Sequence, residues 1–195
     1  VPATSIDRQC GSSQQALHFA AQAVMSGTSD VVIAAGMQNM SLIPITSAMM
    51  AGKPFGFDDP FTGSVGWRKR YGTQEVSQFR SAEMIAEKWQ ITREDMEKFA
   101  LQSHQRAIKA IDSGYFDSQI APLEGVAKDE GPRRDTSLEK MATLQPLSPG
   151  GRVTAAVASQ ISDASAAMLI VNEKGLKAHN LKPRARIHHL SVRGE

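Results

Sequence analysis

Ser5-Ile6-Asp7-Arg8-Gln9-Cys10-Gly11-Ser12-Ser13-Gln14-Gln15-Ala16 carries the only cysteine of a 195-residue chain, at a change from extended to helical texture. Thr4 to Ile6 reads as the end of an extended segment. From Ser12 onward, Ala16, Leu17, Ala20, Ala21 and Val24 fall on one helical face, and Gly27 stops the pattern. A thiol at the first turn of a helix meets unpaired backbone N–H groups and the positive end of the macrodipole, which favour a thiolate and so a nucleophile. Gly11, Ser12 and Ser13 are small enough to admit a bulky substrate carbonyl, and nearby N–H groups suit an oxyanion. The plainer reading of a lone cysteine is a small buried apolar side chain, and spacing alone leaves both open.

Outward from this stretch, residues 30–36 form a continuous apolar run between turn residues, the pattern of a strand buried on both faces. A helix followed by a buried strand predicts an α/β layered fold. Gly36-Met37-Gln38-Asn39-Met40 brings the backbone to the end of that strand, where ligands gather in open α/β sheets. Residues 41–70 read as an excursion in which Pro44, Gly52, Pro54, Gly56, Pro60, Gly63 and Gly66 break regular elements. Met49, Met50, Phe55, Phe57, Phe61 and Trp67 are too apolar for a disordered linker; they predict an ordered loop with its own small core, or a wall of an acyl pocket.

Two helices are expected next. One spans 73–89 with Val76, Phe79, Met84, Ile85 and Trp89 on its apolar face. The other spans 93–113, with Thr92 as N-cap and Asp95 in capping-box spacing, burying Met96, Phe99, Ala100, Ala107, Ile108 and Ile111 before Gly114 ends it. Ser103, His104, Gln105 and Arg106 read as a solvated helix face, since no second histidine or acid stands at a spacing that requires them together. Residues 115–123 read as strand-like, and 128–136 as a charged loop. In that loop Arg133 and Arg134 are candidate phosphate ligands, because guanidinium groups meet phosphate oxygens bidentately; a solvated or salt-bridged surface pair is the plainer alternative. Residues 153–160 form a small-residue strand or turn, 166–171 an apolar run, 173–179 a short helix, and 184–192 a strand. His188 and His189 would then point to opposite faces, a poor metal pair.

Composition sets limits. Of the residues, 41% are hydrophobic and 22% charged, an ordinary globular balance. The 22 basic and 20 acidic residues leave a formal charge of +2, too little to draw the chain to nucleic acid or a membrane. One cysteine excludes an internal disulfide framework, as expected in a reducing cytoplasm. No apolar run approaches the roughly 18 residues of a membrane-spanning helix. Val1-Pro2-Ala3-Thr4-Ser5 reads as the middle of a folded chain, so missing targeting information says little about a parent protein.

The run from Asp7 to Ala16, followed by Val31-Val32-Ile33-Ala34-Ala35-Gly36-Met37-Gln38-Asn39-Met40-Ser41, resembles the thiolase family of acetyl-CoA C-acyltransferases, most closely the degradative and sterol side-chain thiolases of actinobacteria. The resemblance implies a thiolase-like layered α/β fold: residues 1–41 and 152–183 as an incomplete N-terminal domain, 42–151 as an inserted, mainly helical loop domain, and 184–195 as the start of the C-terminal domain. It implies Cys10 as the acyl acceptor in a ping-pong cleavage of 3-ketoacyl-CoA by CoA, in fatty-acid or sterol side-chain β-oxidation. Ser159 corresponds to a serine that hydrogen-bonds the pantetheine arm, and Arg133 to an arginine near the CoA nucleotide. Arg70-Tyr71-Gly72 replaces a common His-Met-Gly, so Tyr71 and Arg70 are expected at the acyl pocket, with Tyr71 suggesting a bulky or branched acyl group.

Coenzyme A is implied as substrate, with no cofactor and no metal, and a homodimer or homotetramer is implied for the parent. In the family an activating histidine and a second cysteine come from the C-terminal half, and their motifs are absent from this sequence, so the segment is expected not to turn over by itself. Two rivals share these features: a decarboxylating ketoacyl synthase, and a non-catalytic acyl-CoA-binding protein.

Overall fold

The computed structural model describes residues 2–61, 63–74 and 76–193. In chain order its elements are α1 (Ser12–Met25), β1 (Val31–Gln38), α2 (Ser47–Met50), α3 (Val65–Tyr71), α4 (Gln78–Trp89), α5 (Arg93–Asp112), α6 (Leu138–Ala142), β2 (Ala164–Val171) and α7 (Glu173–Ala178), with short 3-10 turns at Gln9–Gly11 and Lys53–Phe55. They fall into two units, residues 1–45 with 161–195, and residues 46–160.

In the first unit β1 and β2 pair antiparallel, in register from Val31 opposite Val171 to Gln38 opposite Ala164. Helix α1 lies over one face of this ribbon. Ala20, Ala21, Val24, Ala34 and Ile170 form the buried core, flanked by Ala16, Leu17, Val32, Ile187 and Leu190. The helix face is the one its spacing predicts, and Gly27, at φ 77°, ends it as expected.

The expectation of a strand buried on both faces is corrected. Of β1 only Ala34 is buried, whereas Ile33 is 66% and Met37 76% exposed. Directly opposed residues of antiparallel strands share a face, so Ile33 and Leu169 stand together on the side away from α1. Residues 184–192 are likewise not a strand. Their backbone pairs with nothing in the sheet, although Ile187 and Leu190 pack on the core of α1. The opposite-face argument for His188 and His189 lapses with that strand, and no cluster of three metal-ligating side chains occurs among the described residues.

Both ends of the ribbon are latched by an aspartate. At one end the Asp30 carboxylate accepts from Lys174 Nζ at 2.6 Å and Asn172 Nδ2 at 2.8 Å, while the Asn172 N–H donates to the Asp30 carbonyl at 3.1 Å. At the other, Asp163 accepts the Ser41 N–H at 2.9 Å. Helix α7 comes so near that a Cβ at Gly175 would stand 2.7 Å from the Asp30 carbonyl oxygen.

In the second unit Thr92 and Asp95 form the reciprocal capping box expected at the start of α5. The expected apolar face of α4 is corrected: Phe79, Met84, Ile85 and Trp89 are exposed, and its buried positions are Glu83 and Ala86. On α5 Met96, Ala100, Ala107, Ile108 and Ile111 are half-buried on the expected face, but Phe99 is exposed and the buried position is Glu97. Helix α4 also starts at Gln78 rather than at 73, because the Ser77 hydroxyl caps it by accepting the Arg80 N–H.

The core of this unit is therefore partly polar. Arg93 donates through Nε to Glu97 at 2.7 Å and through Nη2 to the carbonyls of Met141, Ala142 and Leu144, tying α5 to the end of α6. The 41–70 excursion contains two helices the sequence reading missed: the single turn α2, and α3, which the Ser64 hydroxyl caps. Phe61 and Trp67 do form a small ring cluster, but Met50, Phe55 and Phe57 are exposed. Residues 115–123 are turns with one isolated bridge rather than a strand. No helix among the described residues is long and apolar enough to cross a membrane.

Two outcomes follow from the latches. Gly175→Ala forces its methyl against backbone and should cost about 2 kcal/mol, within the usual range for overpacking. Gly66→Ala, whose nearest neighbour stands at 3.8 Å inside α3, should be neutral or slightly stabilising in the same thermal melts. The Lys174 and Asn172 hydrogen bonds hold the Asp30 carboxyl below its usual range, and the Ser41 N–H does the same for Asp163. A depressed folded-state value means that both latches stabilise fully above about pH 4 and are lost as pH falls through the folded-state values. Tm measured from pH 6 down to pH 2 should fall less steeply for Asp30→Asn than for the parent; parallel curves would refute a role for this latch.

Candidate functional site

Cys10 lies at the centre of the 3-10 turn Gln9–Gly11, which leads directly into α1, and its side chain is exposed. The buried-cysteine reading is therefore wrong. The turn is built by its neighbours. The Ser12 hydroxyl accepts the Arg8 N–H at 2.7 Å and donates to the Gln9 carbonyl at 2.7 Å, so one side chain staples both sides of Cys10. Asp7 accepts the Gln9 N–H at 2.9 Å, and the Gly11 N–H donates to the Arg8 carbonyl at 3.1 Å. These bonds hold Gln9 at φ 51°, a left-handed conformation costly for a residue with a Cβ. The Arg8 guanidinium reaches Gln15 Oε1 at 3.3 Å and lies 3.4 Å from where a Gly11 Cβ would be, so it folds back over the start of α1.

The start of α1, like that of the four-residue α2, has no side-chain cap. A Ser, Thr or Asn side chain caps α3, α4, α5, α6 and α7, whereas Gly11 at the α1 N-cap supplies none, and the first turn of α1 has no acidic residue. The positive end of the helix is left to whatever Cys10 carries. Gly36 on β1 fixes the height of this turn over the ribbon, for a Cβ there would stand 2.9 Å from Ser13 Oγ.

The remaining candidates belong to the second unit. Arg133 and Arg134 are adjacent but take different roles. Arg134 makes a two-pronged pair with Asp112 of α5 at 2.9 and 2.6 Å, which raises the guanidinium above its ordinary value and lowers the carboxyl. The Arg133 guanidinium has no hydrogen bond or ion pair among the described residues, while its backbone N–H donates to His104 Nδ1 at 3.1 Å. His104, read from sequence as part of a solvated face, thus tethers the loop. Gln160 Nε2 donates to the Gly131 carbonyl at 2.8 Å and draws the end of the Ser159 segment to the Arg133 loop. Ser159 and Arg133 are both exposed beside this tie.

Arg70 and Tyr71 sit at the end of α3. The Tyr71 ring meets Trp67 at 4.5 Å, tilted by 45°, Trp67 meets Phe61 at 4.8 Å, and Arg70 Cζ lies 5.3 Å from the Tyr71 centroid. No hydrogen bond, ion pair or ring contact joins this ladder to Arg133 or Ser159 among the described residues. Sequence reasoning missed Gln160 and the buried Glu83, whose Oε1 accepts the N–H groups of Arg152 at 2.6 Å and Val153 at 2.7 Å. Gly150-Gly151 was the available signal, since a Cβ at Gly151 would stand 2.5 Å from that oxygen.

Comparison with known proteins bears on this arrangement. Residues 1–174 match the N-terminal domain of thiolase. A steroid 3-ketoacyl-CoA thiolase, FadA6 of Mycobacterium tuberculosis, is 57% identical over 99% of this chain and 48% of its own length. A 3-ketoacyl-CoA thiolase of Photorhabdus laumondii is 38% identical over the whole chain and 50% of its own length. Among solved structures, human mitochondrial 3-ketoacyl-CoA thiolase in complex with CoA superposes with a TM-score of 0.63 at 31% identity, covering 91% of this chain and 46% of that one. The chain spans about half the length of the curated relatives it matches. With its helix-start cysteine and its mixed strands and helices lying within the matched span, the chain belongs to the thiolase family and carries that family's N-terminal domain.

Proposed function

We propose that this chain is the acyl-accepting part of a 3-ketoacyl-CoA thiolase, an acetyl-CoA C-acyltransferase in fatty-acid or sterol side-chain β-oxidation. The observation that carries the reading is Cys10, exposed on a stapled turn at the one long helix start with neither a side-chain cap nor an acid. The Cys10 thiolate adds to the 3-keto carbon of the substrate, and the oxyanion formed is held by backbone N–H groups at the helix start. Cleavage of the C2–C3 bond leaves the acyl group on sulfur and the electron pair on C2, which takes a proton and departs as acetyl-CoA. A second CoA, giving up its thiol proton to a base, attacks the thioester and restores the Cys10 thiolate. The acid and base for these transfers belong, on this reading, to the family's C-terminal half.

The guanidinium of Arg133 suits a phosphate of the CoA nucleotide, with Ser159 beside it for the pantetheine arm. Residues 42–151 are read as the inserted loop domain and 1–41 with 152–183 as the N-terminal domain of a layered α/β fold, 184–195 opening the C-terminal half, in a homodimer or homotetramer. Tyr71, standing on Trp67 with Arg70 against its ring, sets the acyl preference toward bulky or branched groups, and the steroid thiolase among the relatives supports that direction.

Intact-mass analysis of the 21.1 kDa chain after incubation with acetoacetyl-CoA tests the acceptor. With the C-terminal half of a thiolase added in trans, an acetyl-sized gain on this chain that is lost in Cys10→Ala is expected, and a gain that persists in that variant would refute the assignment. CoA affinity should fall about tenfold in Arg133→Ala, the size of one charge-assisted phosphate contact, and stay within about twofold in Lys69→Ala.

A further inference from the structure

Ser159 and Arg133 reach solvent from two loops; the Arg133 loop is also tethered to α5 by His104 and by the Arg134–Asp112 pair, whereas the Ser159 segment is ordered from inside the unit. Glu83 is 5% exposed, yet it is charged in type and placed on a helix whose large apolar side chains are outside. Its Oε1 takes the N–H groups of Arg152 and Val153 together, and Gly151 is the only residue type that fits beside it. From this grip the chain has little freedom. The Val153 carbonyl accepts the Leu147 N–H at 2.8 Å, Thr154 is fully buried and bridged to Pro146, and the Thr154 carbonyl accepts the Val157 N–H at 3.1 Å. Ser159 follows two residues later, and Gln160 passes the constraint to Gly131 and so to the Arg133 loop.

We infer that Glu83 is the positioning residue of the Ser159 and Arg133 pair: its buried carboxylate anchors the 152–153 backbone, and the 154–157 turn and the Gln160 tie carry that anchor to both. The inference rests on the reading of Ser159 and Arg133 as CoA contacts. A carboxylate that accepts two backbone N–H groups without solvent competition is a strong, directional anchor, and a neutral amide in its place is a weaker acceptor.

The test combines CoA titration calorimetry with amide hydrogen exchange on the parent chain, Glu83→Gln and Gln160→Ala. In Glu83→Gln, exchange at Arg152 and Val153 should accelerate and CoA affinity should drop about tenfold. Gln160→Ala, which leaves the anchor in place, should weaken CoA binding with the melting temperature unchanged. The double variant should bind CoA no more weakly than Glu83→Gln alone, because both changes cut one line of constraint. Thiol alkylation at Cys10 should be the same in all. Glu83→Gln with lowered Tm but unaltered CoA affinity would reduce Glu83 to a purely structural residue and overturn the inference, as would additive losses in the double variant. Absence of CoA binding by the parent would instead refute the contact reading itself, and the inference with it.

Discussion

The close approach of α1 to β1 is the constraint on which the reactive part of the molecule depends. Alanines 16, 20 and 21 on the helix and Ala34 with Gly36 on the strand keep the surfaces small, and Ser13 comes to where any side chain at 36 would be. Such a contact leaves the helix little room to slide or roll, because a shift drives a methyl into backbone or opens a void. The helix start, and Cys10 with it, is therefore positioned by packing rather than by a cap. Packing also frees the first turn of α1 from the side-chain cap that five other helices use.

The second unit solves a different problem. Its interior is assembled around two carboxylates, Glu83 receiving backbone N–H groups and Glu97 receiving the Arg93 guanidinium that also collects the carbonyls at the end of α6. Glu83 and Glu97 are each matched to donors, which is the condition for a buried carboxylate to specify geometry rather than weaken the fold, while the buried Thr154 hydroxyl is left without a partner. Phe79, Met84, Ile85 and Trp89 of α4, expected to fill that interior, lie outside, while Met141, Val153 and Ala86 are buried and Met96, Ile108 and Ile111 of α5 half-buried.

What the sequence disclosed and what it concealed divide along the range of the interactions. Helix α1 with its buried stripe, its stop at Gly27 and the Thr92–Asp95 box were legible because each depends on residues within a turn or two. The burial of β1 was not, since an apolar run states what a strand can tolerate and not how many layers cover it. The face of α4 was misread for a related reason. Phe79, Met84 and Ile85 outvote a lone glutamate in any periodicity count, but Glu83 meets donors 69 and 70 positions away. Likewise the distinct roles of Arg133 and Arg134 were set by His104 and Asp112 of α5, 29 and 22 positions earlier in the chain. The placement of Cys10 at a helix start was legible from its neighbours, while its exposure, Ser12 as staple and Gly36 as spacer required coordinates.

The paired strands β1 and β2 are consecutive in the sheet although the whole of Thr46–Gln160 intervenes between them in sequence. Ser41 and Asp163 close that excursion at its base. The entropic cost of closing a loop grows only logarithmically, by about 0.6 kcal/mol for each doubling of length, so the ribbon is nearly indifferent to how much chain it brackets. A lineage is thereby free to lengthen, shorten or redecorate the bracketed segment while the ribbon, and the turn that leads from Cys10 into α1, descend unaltered.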